Sequence, residues 1–351
     1  MRVYILGAGA SLHAGYPLMK NLGHELAAWA ASIPDSAMNM AFALAHHALA
    51  EWRDSSKLDN FELLMTAGDA GELGIEFWPN IRAGMGILLA EFLNSLPRAP
   101  AVAYAALANS AASGDVFATF NYDIAFEKEL ARAGKWHLRD GYGFEIAAGQ
   151  PKSAVTLLKL HGSANWQATV LGGRTGAFQS DGPVADPRPT FSPFACQRLG
   201  FETFSDPLYV FGGVVNYLIL PSCDKRFYWN TSFGEEGRPF WDCLWEQTRS
   251  AVNLCNEVVL IGYSLPAADQ RARELLLDSI PRDTRITICS GGDSSRIADE
   301  FRANGHPAVN PVEEPFERWV TRNDAFATAP PLRRKCETSA SGFGPRGRDR
   351  D

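Results

Sequence analysis

Apolar positions along the chain follow two patterns. Six short runs are rich in β-branched and apolar residues, and several show no polar alternation: Val3–Leu6, Val116–Phe120, Val155–Leu160, Tyr217–Leu220, Val258–Gly262 and Arg285–Cys289. Such runs suit strands covered on both faces of a parallel sheet. Between them lie segments with apolar residues at helical spacing: Pro17–Ala31, Met38–Arg53, Phe61–Ala70, Ile81–Leu96, Val102–Ala112, Asp123–Ala133, Phe240–Asn256 and Ala267–Ser279. The alternation predicts an α/β fold, a Rossmann-like parallel sheet flanked by helices with right-handed crossovers.

The spacing is uneven. About 110 residues separate the first two strands, nearly all in helical pattern, which is too long for one crossover. A helical insertion over about 20–112, after the first strand, is therefore expected. Residues 163–216 are rich in Gly, Pro and aromatic residues without clear period, and predict loops and short strands. No repeat appears at solenoid or propeller periods.

Composition narrows the picture. Hydrophobic residues make up 46% of the chain and charged residues 21%, an ordinary globular balance. No apolar run is long enough to span a membrane or serve as a secretory core. The cysteines (Cys196, Cys223, Cys243, Cys255, Cys289, Cys336) form no C-x-x-C pair, so neither a zinc ribbon nor a thioredoxin-like site is supported. Scattered buried thiols suit a reducing cytoplasm. Net charge is −7, and the segment from Pro331 onward carries six basic and three acidic residues. An acidic body of 1–325 and a disordered basic tail of 326–351 are expected, and the acidic body argues against direct nucleic-acid binding.

Chemistry-bearing residues gather at the predicted strand ends. The first strand runs into Gly7-Ala8-Gly9-Ala10-Ser11 before a helix, a turn suited either to a pyrophosphate or to tight packing. It departs from G-x-G-x-x-G because position 12 is Leu. The second strand ends in Thr119-Phe120-Asn121-Tyr122-Asp123. Asn121 offers a donor and an acceptor to a ribose hydroxyl or a water, and Asp123 could equally cap the following helix. Leu160-His161-Gly162-Ser163 places a histidine at the third strand end, where its ordinary pKa of about 6.5 suits proton transfer. Gly262-Tyr263-Ser264-Leu265-Pro266 closes a later strand, with Asp269 opening a helix, and Gly291-Gly292-Asp293-Ser294-Ser295 repeats the pattern. No P-loop, H-E-x-x-H or G-x-S-x-G is present.

In order and approximate spacing, GAGAS at 7–11 followed by Ala14-Gly15-Tyr16-Pro17, TFNYD at 119–123, LHGS at 160–163 and IGYSL at 261–265 resemble the sirtuin family. The resemblance spans roughly 1–300. It implies that Gly7, Ala8, Gly9, Ala10 and Ser11 hold the NAD pyrophosphate. Asn121 would act near the nicotinamide ribose, His161 as catalytic base, and Asp123 in the nicotinamide-side pocket. Gly262 and Ser264 would contact phosphate or adenosine ribose; Asp269, at the helix start after that turn, is read from the residues alone as able to contact phosphate or ribose. Two departures stand out. The two C-x-x-C pairs of protein-deacylating sirtuins are missing after the His motif, so no zinc is expected. Leu18-Met19-Lys20 follows Pro17 where those enzymes carry a Phe-Arg pair.

The pattern is more similar to zinc-less sirtuin-like domains of bacterial antiviral defence, which hydrolyse NAD and form oligomers or pair with a sensor such as an ATPase. That resemblance implies a cytoplasmic NAD glycohydrolase releasing nicotinamide and ADP-ribose, with NAD as substrate and a homo-oligomer or sensor/ATPase protein as partner. The alternatives are an NAD-dependent deacylase or ADP-ribosyltransferase, and a non-catalytic NAD-sensing module.

Overall fold

A computed structural model describes residues 1–33, 40–96, 99–144, 152–170, 190–191, 213–222 and 234–322. The basic tail expected at 326–351 and much of the loop-rich stretch lie outside the described residues.

The main sheet has six parallel strands in the order β3-β2-β1-β7-β8-β9. These are β1 (Arg2–Leu6), β2 (Val116–Thr119), β3 (Thr156–Lys159), β7 (Glu257–Ile261), β8 (Arg285–Cys289) and β9 (Val309–Pro311). The fold is α/β and Rossmann-like, as the apolar runs predict. Val3, Tyr4, Ile5 and Leu6 of β1 are at most 1% exposed. At roughly 1.5–3 kcal/mol per large buried side chain, such strands anchor the core. Tyr4 stacks on Phe117 of β2 with ring centroids 4.5 Å apart.

A second sheet has three antiparallel strands, β5-β4-β6, formed by β4 (Gly162–Val170), β5 (Thr190–Phe191) and β6 (Gly213–Leu218). This corrects one expectation. The apolar run Tyr217–Leu220 enters the antiparallel sheet through β6, pairing with β4, and does not join the parallel one. Apolarity reports that a strand is buried, not which strand it pairs with.

After the one-turn helix Ala8–Ser11, five longer helices of the described residues separate β1 from β2: Met19–Ala30, Met40–Trp52, Phe61–Asp69, Trp78–Ser95 and Val102–Ser110. Local chemistry sets their limits. Asn60 accepts the N–H of Leu63 at 3.0 Å and so starts Phe61–Asp69. Pro79 lies in the first turn of Trp78–Ser95, where its missing N–H costs nothing. Gly68 lets the Trp78 indole come close to the Phe61–Asp69 helix, since a Cβ there would stand 2.0 Å from it. Arg82 and the Trp78 indole both donate to Asp69 Oδ1, at 2.9 and 2.8 Å, locking the insertion internally.

Strand order decides where a ligand can sit. From β1 the chain moves outward through β2 to β3, then returns to the other side of β1 as β7, β8 and β9. The switch between β1 and β7 opens a crevice at their carboxyl ends, the usual ligand position in open α/β sheets.

Candidate functional site

At that crevice lies a cavity of about 630 Å³, walled by residues that include Ala8, Gly9, Ser11, Asn121, Asp123, His161, Gly262, Ser264 and Asp269. Its size falls within the roughly 300–1,000 Å³ of small-molecule sites. Four of the strand-end motifs read from sequence thus meet in one place, and Gly291 and Asp293 of the fifth line its far side. Gly7 and Ala10 are not among its walls.

The two glycine turns are pressed together. Gly7 N–H donates to Ile261 O and Gly9 N–H to Gly262 O, both at 2.9 Å, and Ala10 N–H donates to Gly7 O at 2.9 Å. A Cβ on Gly7 would stand 2.6 Å from Gly262 O, and one on Gly262 2.1 Å from Ala10 N. Gly262 also has φ of +61°, a left-handed value that glycine adopts without steric penalty. The glycines therefore act first as a packing device joining β1 to β7. Three of the turn's N–H groups are engaged inside the protein, so a pyrophosphate would have to be met by others.

Behind the turn stands a buried polar cluster. Ser11 Oγ donates to Asp123 Oδ2 at 2.6 Å. Asn121 Nδ2 donates to Ser11 Oγ and to Gly7 O, each at 2.9 Å. The Tyr104 hydroxyl lies 2.7 Å from Ser11 Oγ. With the Ser11 proton directed to the carboxylate, Tyr104 is the donor of that pair. Burial pushes the Tyr104 phenol well above its ordinary range, which keeps its proton in place. Asp123 Oδ1 accepts the N–H of Ala125 at 3.0 Å, so the local-turn role is present alongside any ligand role. Because Asn121 directs its amide protons inward, it would meet a ligand or water through its carbonyl oxygen.

Below this cluster lies a buried ion pair. Lys159 Nζ donates to Glu127 Oε1 at 2.7 Å and to the Asp123 carbonyl at 2.5 Å, with both side chains 1% exposed. Lys159 thereby ties β3 to the turn that carries Asn121 and Asp123. Burial raises the Glu127 carboxyl pKa, and Lys159 opposes that rise.

His161 sits between β3 and β4, next to Gly162 at φ +81°. Its carbonyl accepts Ile219 N–H at 2.8 Å. Phe120 meets its ring edge-on at 5.1 Å, and Tyr122 lies tilted at 6.4 Å. Asp269 Oδ2 stands 4.0 Å from Nε2. Tyr263 stacks on Phe120 at 4.4 Å. Leu265, in the same turn as Tyr263, holds φ of +51°, a strained value for a branched side chain.

Several residues of the cavity wall and of the cluster behind it were not legible as site residues. Tyr104 reaches Ser11 from 93 positions away, and nothing local marks it. The helical insertion supplies Glu62, Leu89 and Leu93, and Lys20 is the basic side chain other than His161 on the cavity wall. Among the described residues no group of three or more His, Cys, Asp or Glu is placed to hold a metal ion. Also among the described residues, no helix is long and apolar enough to cross a membrane.

No family profile matches the chain, and no curated protein matches it. Among solved structures, the chain is similar to one described as a Sir2 homolog–NAD complex, at 14% identity and TM-score 0.41, over 93% of this chain and 87% of that one. It is similar to Sir2 bound to acetylated peptide at 13% identity and TM-score 0.41, and to a structure titled for the basis of sirtuin substrate affinity at 12% and 0.42, each over 92% of both chains. At these values the similarities assign no residue and no activity; the site stands on its own side chains.

Proposed function

We propose that the cavity binds NAD and that the protein hydrolyses its nicotinamide–ribose bond. The observation that carries this reading is the meeting of Asn121, His161 and the two glycine turns around one cavity at the β1–β7 switch. The sequence resemblance to sirtuins names the ligand.

In the proposed reaction the C1′–N1 bond breaks with its electron pair moving to the ring, and nicotinamide leaves neutral. The ribose is left as an oxocarbenium ion. A water bonds to C1′ and passes one proton to His161, directly or through the ribose hydroxyls, giving ADP-ribose. Asn121 holds that water through its carbonyl oxygen, the end its inward hydrogen bonds leave facing outward. The aromatic walls from Phe120, Tyr122 and Tyr263 limit access of bulk water. Lys20 supplies positive charge for the diphosphate.

Hydrolysis is favoured over deacylation because the sequence has no C-x-x-C pair with which to build the zinc module that walls an acyl-lysine groove. The sequence resemblance to defence-associated domains points to NAD depletion in antiviral defence, with a resting state imposed by the helical insertion or by a partner. Incubating the protein with NAD, with and without acetyl-lysine peptide, and separating the products by chromatography tests the reading. Free ADP-ribose and nicotinamide without peptide are expected; NAD consumed only with peptide would establish a deacylase instead.

A further inference from the structure

Asp269 is expected from sequence to open a helix and contact the nucleotide. Its surroundings suggest a different task. Asp269 is 3% exposed. Tyr263 donates its phenolic proton to Asp269 Oδ2 at 3.2 Å, and the Asp269 N–H donates to Pro266 O at 3.1 Å. The same Oδ2 lies 4.0 Å from His161 Nε2. That gap is longer than a hydrogen bond but well inside the range where a carboxylate stabilises a neighbouring positive charge. The parts also support one another. Tyr263, which fixes the carboxylate, stacks on Phe120, and Phe120 in turn walls the His161 ring.

We propose that Asp269 is a positioning residue that pairs with His161 and stabilises its imidazolium. The reaction it serves rests on the NAD-cleavage reading, whereas the pairing rests on geometry alone. His161 enters neutral, takes one proton as water bonds to C1′, and becomes cationic beside a carboxylate already held in place. Asp269 does not itself take the proton. Among the described residues, the other ionisable groups on the cavity wall are Tyr16, Lys20 and Glu62 from the stretch between β1 and β2, Asp123 at the β2 end, Cys289 at the β8 end, and Asp293 and Glu317 on the far side. Tyr122 and Tyr263 stay neutral, because burial raises both phenols.

The sign of the effect follows directly. A nearby carboxylate favours the charged ring, so it raises the His161 pKa, and removing it lowers that pKa. Activity is lost when acid protonates the base, so the acidic limb of kcat/KM moves to lower pH in the same variant. The test is an NMR titration of the His161 ring in the full chain, with nicotinamide release measured on the same samples. Asp269→Asn is expected to lower the His161 pKa by about one unit, and Asp269→Glu to restore it to within a few tenths. Tyr263→Phe, close to isosteric, removes the Tyr263 donor from Oδ2 and is expected to raise the value slightly. An unchanged titration in Asp269→Asn, with only KM increased, would overturn the pairing and return Asp269 to nucleotide contact. Should that variant fail to fold, Tyr263→Phe decides: an upward shift supports the pairing and an unmoved titration overturns it. Shifts as expected in a protein that releases no nicotinamide would keep the pairing and remove the NAD-cleavage reading.

Discussion

The two sides of the cavity floor are built differently. On the β1–β2 side, Ser11, Tyr104, Asn121 and Asp123 form a closed cluster with contacts of 2.6 to 2.9 Å. Ser11 Oγ there donates once and accepts twice, its full capacity. On the β3–β7 side, His161 is held by aromatic faces, and its ring stands 4.0 Å from Asp269. One side fixes a shape, and the other keeps a titratable ring beside a carboxylate with space between them. The proposed bond cleavage would need both, because positioning calls for rigidity while proton transfer calls for a group that can change charge.

The comparison can be broken most sharply from beneath the rigid side. Lys159→Met strips the buried Glu127 of its cation and the Asp123 carbonyl of its donor, and should cost about 3–5 kcal/mol of stability in urea unfolding. A loss below about 1 kcal/mol would mean that the pair does not hold the Asp123 turn. Gly262→Ala should cost roughly 1–3 kcal/mol for the left-handed backbone alone, and more if the β1 turn must move away. It should also weaken NAD binding in calorimetry, since the glycine turns form one wall. Tyr104→Phe deletes one buried donor and is expected to cost about 1 kcal/mol with the melting transition still cooperative. The Asp269 variants are expected to alter the other side: they move a titration more than a melting point.

Much of this architecture is legible in the sequence, and what is hidden has physical reasons. β1, β2, β3, β7 and β8 announce themselves because strands buried on both faces must be apolar throughout. β9 does not, being three residues of Val-Asn-Pro at the sheet edge, where a proline is tolerated. The helix Ser294–Ala303 also escapes notice, because Gly291–Ser295 draws attention as a ligand turn and hides the helix start within it. At the cavity, strand-end motifs single out Asn121, Asp123, His161 and Asp269, all of which line it. Their partners are less visible. Tyr104 and Lys159 look like ordinary helix and strand residues, and only folding brings one to Ser11 and the other to Asp123. The glycine turn holds more than its phosphate-like signature shows: Ala8, Gly9 and Ser11 line the cavity, and the same turn packs its backbone against that of Gly262.

The central claim is that this cavity cleaves NAD with His161 as base. Nicotinamide release by wild type and by His161→Ala, compared at equal thermal stability, tests it most directly. The account predicts that the wild type releases nicotinamide from NAD alone and that the variant is slower by at least about 10²-fold with its melting temperature unchanged. Equal rates in the two proteins would contradict it.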